Sequence, residues 1–302
     1  MSNRTGGFSL IELLLALATT LVLSAMVFHV FHHNERTVHD QTLIMEMQQA
    51  ARVVASQLAD EIRMAGQGVP VHSSKFDTTI AESVAVILPS STNNRIDFRA
   101  GLSAAETAAT GVPPLDLSLN VQNTLSVNDG SAFSTALGTM LPTGRFIYVW
   151  GSNSNSTWAW IRAELNAIST TTLTITPRQT SNMTSTIHFT RLPTVTLEEA
   201  VSIYLSGNSI RRATATDMTN PDSPQWSAAN EIGKNFTALN FTYYDPSGNI
   251  VAPASLANRG SITRVDLQLT VQTSATLSTG RQPTYSLALR TIPRNLKLRS
   301  AN

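Results

Sequence analysis

Histidines, paired carboxylates and tryptophans are the residues of this chain with chemistry to offer, and their spacing decides what that chemistry can be. His29, His32, His33 and His39 lie close together, and positions 29 and 33 share a helix face as two ligands of a zinc site would. No carboxylate or cysteine completes a set at matching spacing, so these side chains are expected at the outer edge of a membrane helix, turned towards headgroups, with no metal bound. His72 and His188 stand isolated and read as structural. The adjacent carboxylates Asp60-Glu61 and Glu198-Glu199 point apart on a helix or a strand and cannot straddle a scissile bond, so solvated charge is the expectation for both pairs. Trp150, Trp158 and Trp160 could offer a sugar-stacking platform, with Trp158 and Trp160 on one strand face, although core or interface packing is the plainer account. There is no HExxH, no GxSxG, no phosphate-binding glycine loop and no cysteine nucleophile. The chain therefore reads as a protein that is not an enzyme and has no cofactor.

Glu12 is different, because of where it lies. From Phe8 to Phe31 the sequence runs FSLIELLLALATTLVLSAMVFHVF, long enough at about 1.5 Å per residue to cross a hydrocarbon core of roughly 30 Å. Glu12 is its one formal charge, and a carboxylate there costs on the order of 2.5 to 3.5 kcal/mol even on lenient insertion scales. It calls for a partner. The segment ahead, MSNRTGG, is polar and puts its small residues before the apolar run, whereas a secretory signal peptide puts them after it.

Beyond Phe31 the helical signal continues. Ile44, Met47, Ala51, Val54, Leu58, Ile62 and Ala65 recur every three or four residues, with Gln48, Gln49, Arg52, Gln57, Asp60, Glu61 and Arg63 on the other face. No proline or glycine breaks the stretch from Phe8 to Ala65, so one helix of roughly 85 Å is predicted, ended by Gly66, Gly68 and Pro70.

After Val71 the pattern changes to short alternating runs. Strands are expected at Ser83 to Leu88, Arg95 to Phe98, Arg145 to Trp150, Trp158 to Leu165, Thr171 to Thr176, Thr186 to Leu192, Ala200 to Leu205, Ile210 to Ala213, Phe236 to Tyr244, Ile262 to Thr273 and Thr284 to Arg290. Ser206-Gly207-Asn208 and Asp245 to Asn249 read as hairpin turns. Ala100 to Gly144 and Thr214 to Asn230 read as loops, with a short helix at Ser103 to Ala109. The fold class is α+β, a long N-terminal helix packed on an antiparallel β-rich domain. The segments are residues 1–7 as leader, 8–31 as transmembrane half, 32–66 as amphipathic half and 67–302 as the β-rich part.

Composition narrows the function. With 21 basic and 20 acidic residues there is no broad electrostatic footprint for nucleic acid, and the absence of cysteine excludes disulfides and thiolate metal sites.

A short polar leader, Gly7, Phe8 and Glu12 at fixed spacing ahead of an uncharged span resemble the class III signal of type IV prepilins and type II secretion pseudopilins. The resemblance implies peptidase cleavage between Gly7 and Phe8, methylation of the new amine of Phe8, and an assembly role for Glu12. Physically, Glu12 would sit near the depth of that amine on a neighbouring helix, and the two charges attract strongly in low dielectric. The soluble part carries looser matches. Ile62 to Gly68, Tyr204 to Arg212, Phe241 to Asp245 and Arg294-Asn295 resemble PilW-type minor pilins and, more distantly, J-type minor pseudopilins. A family proline within the membrane span is replaced near its usual place by His29, and the family's C-terminal disulfide is missing.

The resemblance implies a minor pilin that helps initiate or cap a bacterial type IV pilus. Its implied partners are other minor pilins, the major pilin, the prepilin peptidase and the inner-membrane assembly platform. It would be a single-pass inner-membrane protein with a periplasmic globular part, later carried into the pilus at the cell surface. The alternatives are a minor pseudopilin of a type II secretion system, a membrane-tethered adhesin or carbohydrate-binding module, and a tethered hydrolase.

Overall fold

The computed structural model describes residues 9–70, 84–138, 143–153, 157–181 and 184–293. Helix α1 runs unbroken from Leu10 to Arg63, 54 residues or about 81 Å at 1.5 Å per residue. His29 causes no interruption. Every described residue up to His39 is exposed, and burial begins only beyond it. Leu43, Met47, Ala51, Val54, Ala55, Leu58, Ala59 and Ile62 then form the buried stripe, with Ile44 half-buried at its margin. The helix ends as the glycines dictate. Gly66 and Gly68 both have positive φ, a conformation costly for other residues, and the Gly66 N–H donates to the Arg99 carbonyl at 2.8 Å.

Strand β1, Arg95–Arg99, follows. The expected strand Ser83 to Leu88 is reduced to a single bridge between Ile87 and Phe98, with Ser83 outside the described residues. The chain then enters an all-but-closed unit made of β2 (Glu106–Ala108), β3 (Leu115–Ser118), β4 (Asn123–Ser126), helix α2 (Ser131–Leu137), β5 (Phe146–Ser152), β6 (Trp158–Ile168), β7 (Thr172–Thr180), β8 (Thr186–Phe189) and β9 (Thr194–Leu197). Six of these strands pair in the order β2-β9-β5-β6-β7-β4. The two ends of that sheet meet at the Ala109–Val127 bridge, with Asn128 N–H to Ala108 O at 3.0 Å and Thr110 N–H to Ser126 O at 2.8 Å. The result is a six-stranded antiparallel sheet curled into a barrel whose edge strands meet at that one bridge. β3 and β8 form a ribbon beside it.

Much of this lies where the sequence reads as loop. Ala100 to Gly144 holds three strands and α2, and Ser103 to Ala109 carries strand β2 instead of a helix. The strands are three or four residues long, too short for their alternation to show, and barrel closure supplies the pairing that their own pattern does not.

β10 (Ala200–Ser206) returns beside β1, with Arg99 opposite Ala200. β11 (Ser209–Asp217) completes the hairpin at Gly207-Asn208. β12 (Gln225–Trp226) and β13 (Asn230–Lys234) both pair with β11, so strand structure covers both ends of the expected loop Thr214 to Asn230. β14 (Phe236–Tyr244) leads into the Asp245–Asn249 turn. That turn does not open a full hairpin. A single Tyr244–Ile250 bridge and helix α3 (Leu256–Ser261) intervene before β15 (Arg264–Gln272), the partner of β14, and β16 (Thr284–Thr291) pairs with β15.

Two apolar cores result. The stripe of α1 packs with Ile96, Phe98, Ile203, Phe236, Phe241 and Leu267 of the surrounding sheets. The barrel is filled separately by Phe133, Ile147, Val149, Ile161, Leu165, Leu173, Ile175 and Val195.

Candidate functional site

The residues from Leu10 to Phe31 form the candidate site, and they gain their character from what they do not touch. Leu10 is 78% exposed and Phe31 71%, with the leucines and valines between them similarly open. An apolar helix surface of this size standing outside both cores is stable only in an apolar surrounding. The span is long and apolar enough to cross a membrane, and none of its most apolar window is buried in the molecule. A core helix of a soluble protein would be mostly buried, which removes that explanation.

Glu12 stands in the first turn of α1, and its Oε2 accepts the backbone N–H of Ser9 at 3.1 Å. This is the carboxylate half of a capping box, in which a side chain satisfies a helix N-terminal donor. Sequence spacing contains this signal, because Ser9 and Glu12 stand three residues apart, yet the apolar context draws attention to the charge first. Gly7 and Phe8 lie outside the described residues, as do His72 and Arg294-Asn295.

The histidine cluster stays apart from any site. His29, His32, His33 and His39 are all exposed, and His32 Nδ1 lies 3.9 Å from Glu35. Among the described residues, no group of three or more His, Asp or Glu stands close enough together to hold a metal ion.

The lower half of α1 is tied down by polar contacts at both ends of its buried stripe. Ser278 donates to Asp40 through its backbone N–H, at 2.9 Å to Oδ1, and through its hydroxyl. These hydrogen bonds hold the Asp40 carboxyl below its ordinary value. Near the C-terminal end, Arg212 of β11 donates to Glu61 at 2.8 Å. Asp60 and Glu61 do point apart, but only Asp60 behaves as a solvated charge, pairing with Arg63 on the surface.

Glu198 reverses its expectation. It is buried, not solvated, and holds Arg99 at 2.8 Å, Arg162 at 2.7 Å and the Tyr148 hydroxyl at 2.9 Å. Burial pushes the Tyr148 phenol well above its usual range, so it donates as a neutral hydroxyl. Glu199 faces the other way and accepts from Ser103 N–H and Oγ. Glu198 follows a barrel strand and reaches an arginine on β1, a pairing across nearly a hundred residues that sequence spacing does not contain.

The tryptophans are also placed by packing. Trp150 and Trp158 stack on each other with centroids 5.5 Å apart, and Trp160 is buried with Tyr148 against Val69 and Val84. Trp150 and Trp158 remain half-buried, packed on the outside of that small cluster. His188 finds Asp116 at 2.8 Å across the β3–β8 ribbon, open to solvent on both sides of the pair.

No family profile and no curated protein matches this chain. Among solved structures, it is similar to a type IV-like pilin from Thermus thermophilus, at 12% identity over 55% of this chain and 95% of that one, with a TM-score of 0.24. At that score the likeness carries no argument, and the chain's own residues must carry the function.

Proposed function

We propose that this chain is a minor pilin of the PilW type, a structural, non-enzymatic subunit that helps initiate or cap a bacterial type IV pilus. The observation that carries the reading is the division of α1. One rigid helix is bare and apolar from Leu10 to Phe31 and packed on a globular part from Leu43 onward. A helix of this design anchors the protein in a membrane while keeping the globular part at a set height. The same bare surface can pass from lipid into a bundle of like helices without refolding.

In this reading the prepilin peptidase cuts between Gly7 and Phe8 and methylates Phe8, and Glu12 pairs with the corresponding amine of a neighbour. The chain waits in the inner membrane as a single-pass protein with its globular part in the periplasm, and the assembly platform then moves it into the fibre with other minor pilins and the major pilin. The barrel supports a role at a fibre end. It is bonded to the turn beyond the C-terminus of α1, through Gly101 N–H to Gln67 O at 2.8 Å and the Thr196 hydroxyl to Gly68 O at 2.6 Å, far from the membrane half.

Intact mass and N-terminal analysis of protein recovered from membranes or sheared fibres test the reading. The expected product begins at methylated Phe8, and Gly7→Val abolishes it. A chain that still begins at Met1 or Ser2 in cells with active prepilin peptidase overturns the assignment.

A further inference from the structure

β1 and β10 are adjacent antiparallel strands, and their register runs to Arg99 opposite Ala200, with Ala100 N–H donating to Glu199 O at 3.0 Å. A tight turn would suffice to join them. Instead the chain leaves at Gly101, builds the whole barrel and returns at Glu198. The barrel core shares no residue with the core around α1, and the two units are joined along the chain only by the paired segments leading out of β1 and back into β10, held by Ala100 N–H to Glu199 O and Leu197 N–H to Ala105 O, each at 3.0 Å.

The two units meet over one face of the barrel, with further bonds at its rim from Arg145 to the Ala215 carbonyl at 2.6 Å and from Ser103 to Glu199. Along β5 and β6 the side chains alternate. Ile147, Val149, Ala159 and Ile161 point into the barrel, while Phe146, Tyr148, Trp160 and Arg162 point out towards the junction. Phe146 meets Leu88, Ala200, Ala215 and Met218, and Tyr148 and Trp160 meet Val69 and Val84. Between these two apolar patches lies the charged knot. Arg99 donates to Glu198 and to the carbonyls of Ala85 and Pro221, and Arg162 donates to Glu198 and to the Met218 carbonyl. Apolar patches adhere in many relative positions, whereas a buried carboxylate shared by two guanidinium groups tolerates very few.

We propose that residues 101–198 are a separately folding head inserted into the β1–β10 hairpin, set in one orientation by the Arg99–Glu198–Arg162 knot. The head thus presents its outer surface at a fixed angle to α1 while the helix and its sheets carry assembly. This division holds whatever the helix assembles into, so it stands or falls apart from the pilus reading.

The full-length protein in detergent tests both halves of the proposal. Hydrogen exchange on Phe133→Ala, with Leu173→Ala as a second barrel variant, is expected to raise exchange in β5–β7 by about tenfold or more while β14 and β15 keep their protection. Loss of protection in both units together would show one cooperative fold and sink the separate head. For orientation, the cysteine-free chain accepts spin labels at Ser169→Cys on the barrel and Ser286→Cys on β16, both exposed positions. Replacing the knot by Arg99→Met, Glu198→Leu and Arg162→Met, together with Asp222→Asn because that carboxylate also faces Arg99, removes the charges without leaving one stranded. The expected result is intact protection in both units with a broadened label-to-label distance distribution. A distribution as narrow as that of the unsubstituted knot overturns its role as the lock.

Discussion

Asp40 and Ser278 meet across 238 positions of sequence, the carboxylate taking both the backbone N–H and the hydroxyl of the serine. The contact lies where α1 changes from bare to packed, so the β15–β16 loop clasps the helix at the foot of the globular part. The clasp is expected to be sensitive to acid. Asp40 has its folded-state value lowered from an ordinary 3.8, mainly by the Ser278 hydroxyl, so its stabilisation is fully present above that pH and lost as pH falls through the lowered value. Hydrogen exchange of the 273–283 loop should accelerate in that acid window in the unsubstituted chain. In Asp40→Asn it should already be fast at neutral pH and change little with acid. A loop with equal protection in both proteins at neutral pH would show that the clasp carries no weight.

Gly130 marks the tightest approach in the barrel. A Cβ there would lie 2.0 Å from the backbone oxygen of Ser169, and backbone cannot step aside as a flexible side chain can. Gly130→Ala is therefore expected to cost about 1–3 kcal/mol through overpacking, with the loss read in the barrel's own unfolding. Thermal or denaturant melting checks it, and an unchanged midpoint would mean that the turn relaxes at no cost.

The parts of this fold that could be read from sequence are those whose signal is long. An apolar run followed by a three- and four-residue repeat, with no proline or glycine between Phe8 and Ala65, marks the extent of α1, and the repeat marks its buried face from Met47 to Ile62. The runs Arg145 to Trp150, Trp158 to Leu165 and Phe236 to Tyr244 are longer and rich in aromatic and apolar residues, and they appear as β5, β6 and β14. β2, β3 and β4 escape because three or four residues carry too little pattern, and because what makes them strands is partners far along the chain. The same holds for chemistry. Glu12 is conspicuous through a local contrast of charge against apolar neighbours. Glu198 has no such contrast in Leu197-Glu198-Glu199, and only the return of the chain beside Arg99 turns it from a solvated charge into a buried one.

Cutting the helix at two places separates its two duties. A fragment beginning near Arg36 retains the stripe from Leu43 to Ile62 and should be soluble and melt cooperatively, with no dependence on reducing agent because cysteine is absent. A fragment beginning after Gly68 lays bare the sheet residues that α1 covers, Phe236, Phe241 and Leu267 among them, and should aggregate or lose the cooperative melting of that sheet, while the barrel keeps its own transition. Light scattering with melting curves distinguishes the outcomes. A monomeric fragment in which the β14–β16 sheet still melts cooperatively would show that α1 is not part of the core.

Glu12 has two possible duties, and substitution can tell them apart. Within its own helix it accepts the Ser9 N–H, a capping contact worth about 1 kcal/mol that a neutral amide could also make. In the proposed fibre its charge meets the Phe8 amine of a neighbour, a contact that requires the charge. Glu12→Leu removes both and eases membrane insertion, since an uncharged residue no longer opposes entry into lipid. That variant is expected to be cleaved and membrane-bound but scarce in sheared fibres. Glu12→Gln keeps an acceptor for Ser9 and loses only the charge. If capping were the whole role, Gln would restore incorporation; the charge-pairing role requires Gln to fail as Leu does. Quantifying each variant in membranes and in sheared fibres reads the difference, and normal incorporation of Glu12→Gln would refute the pairing.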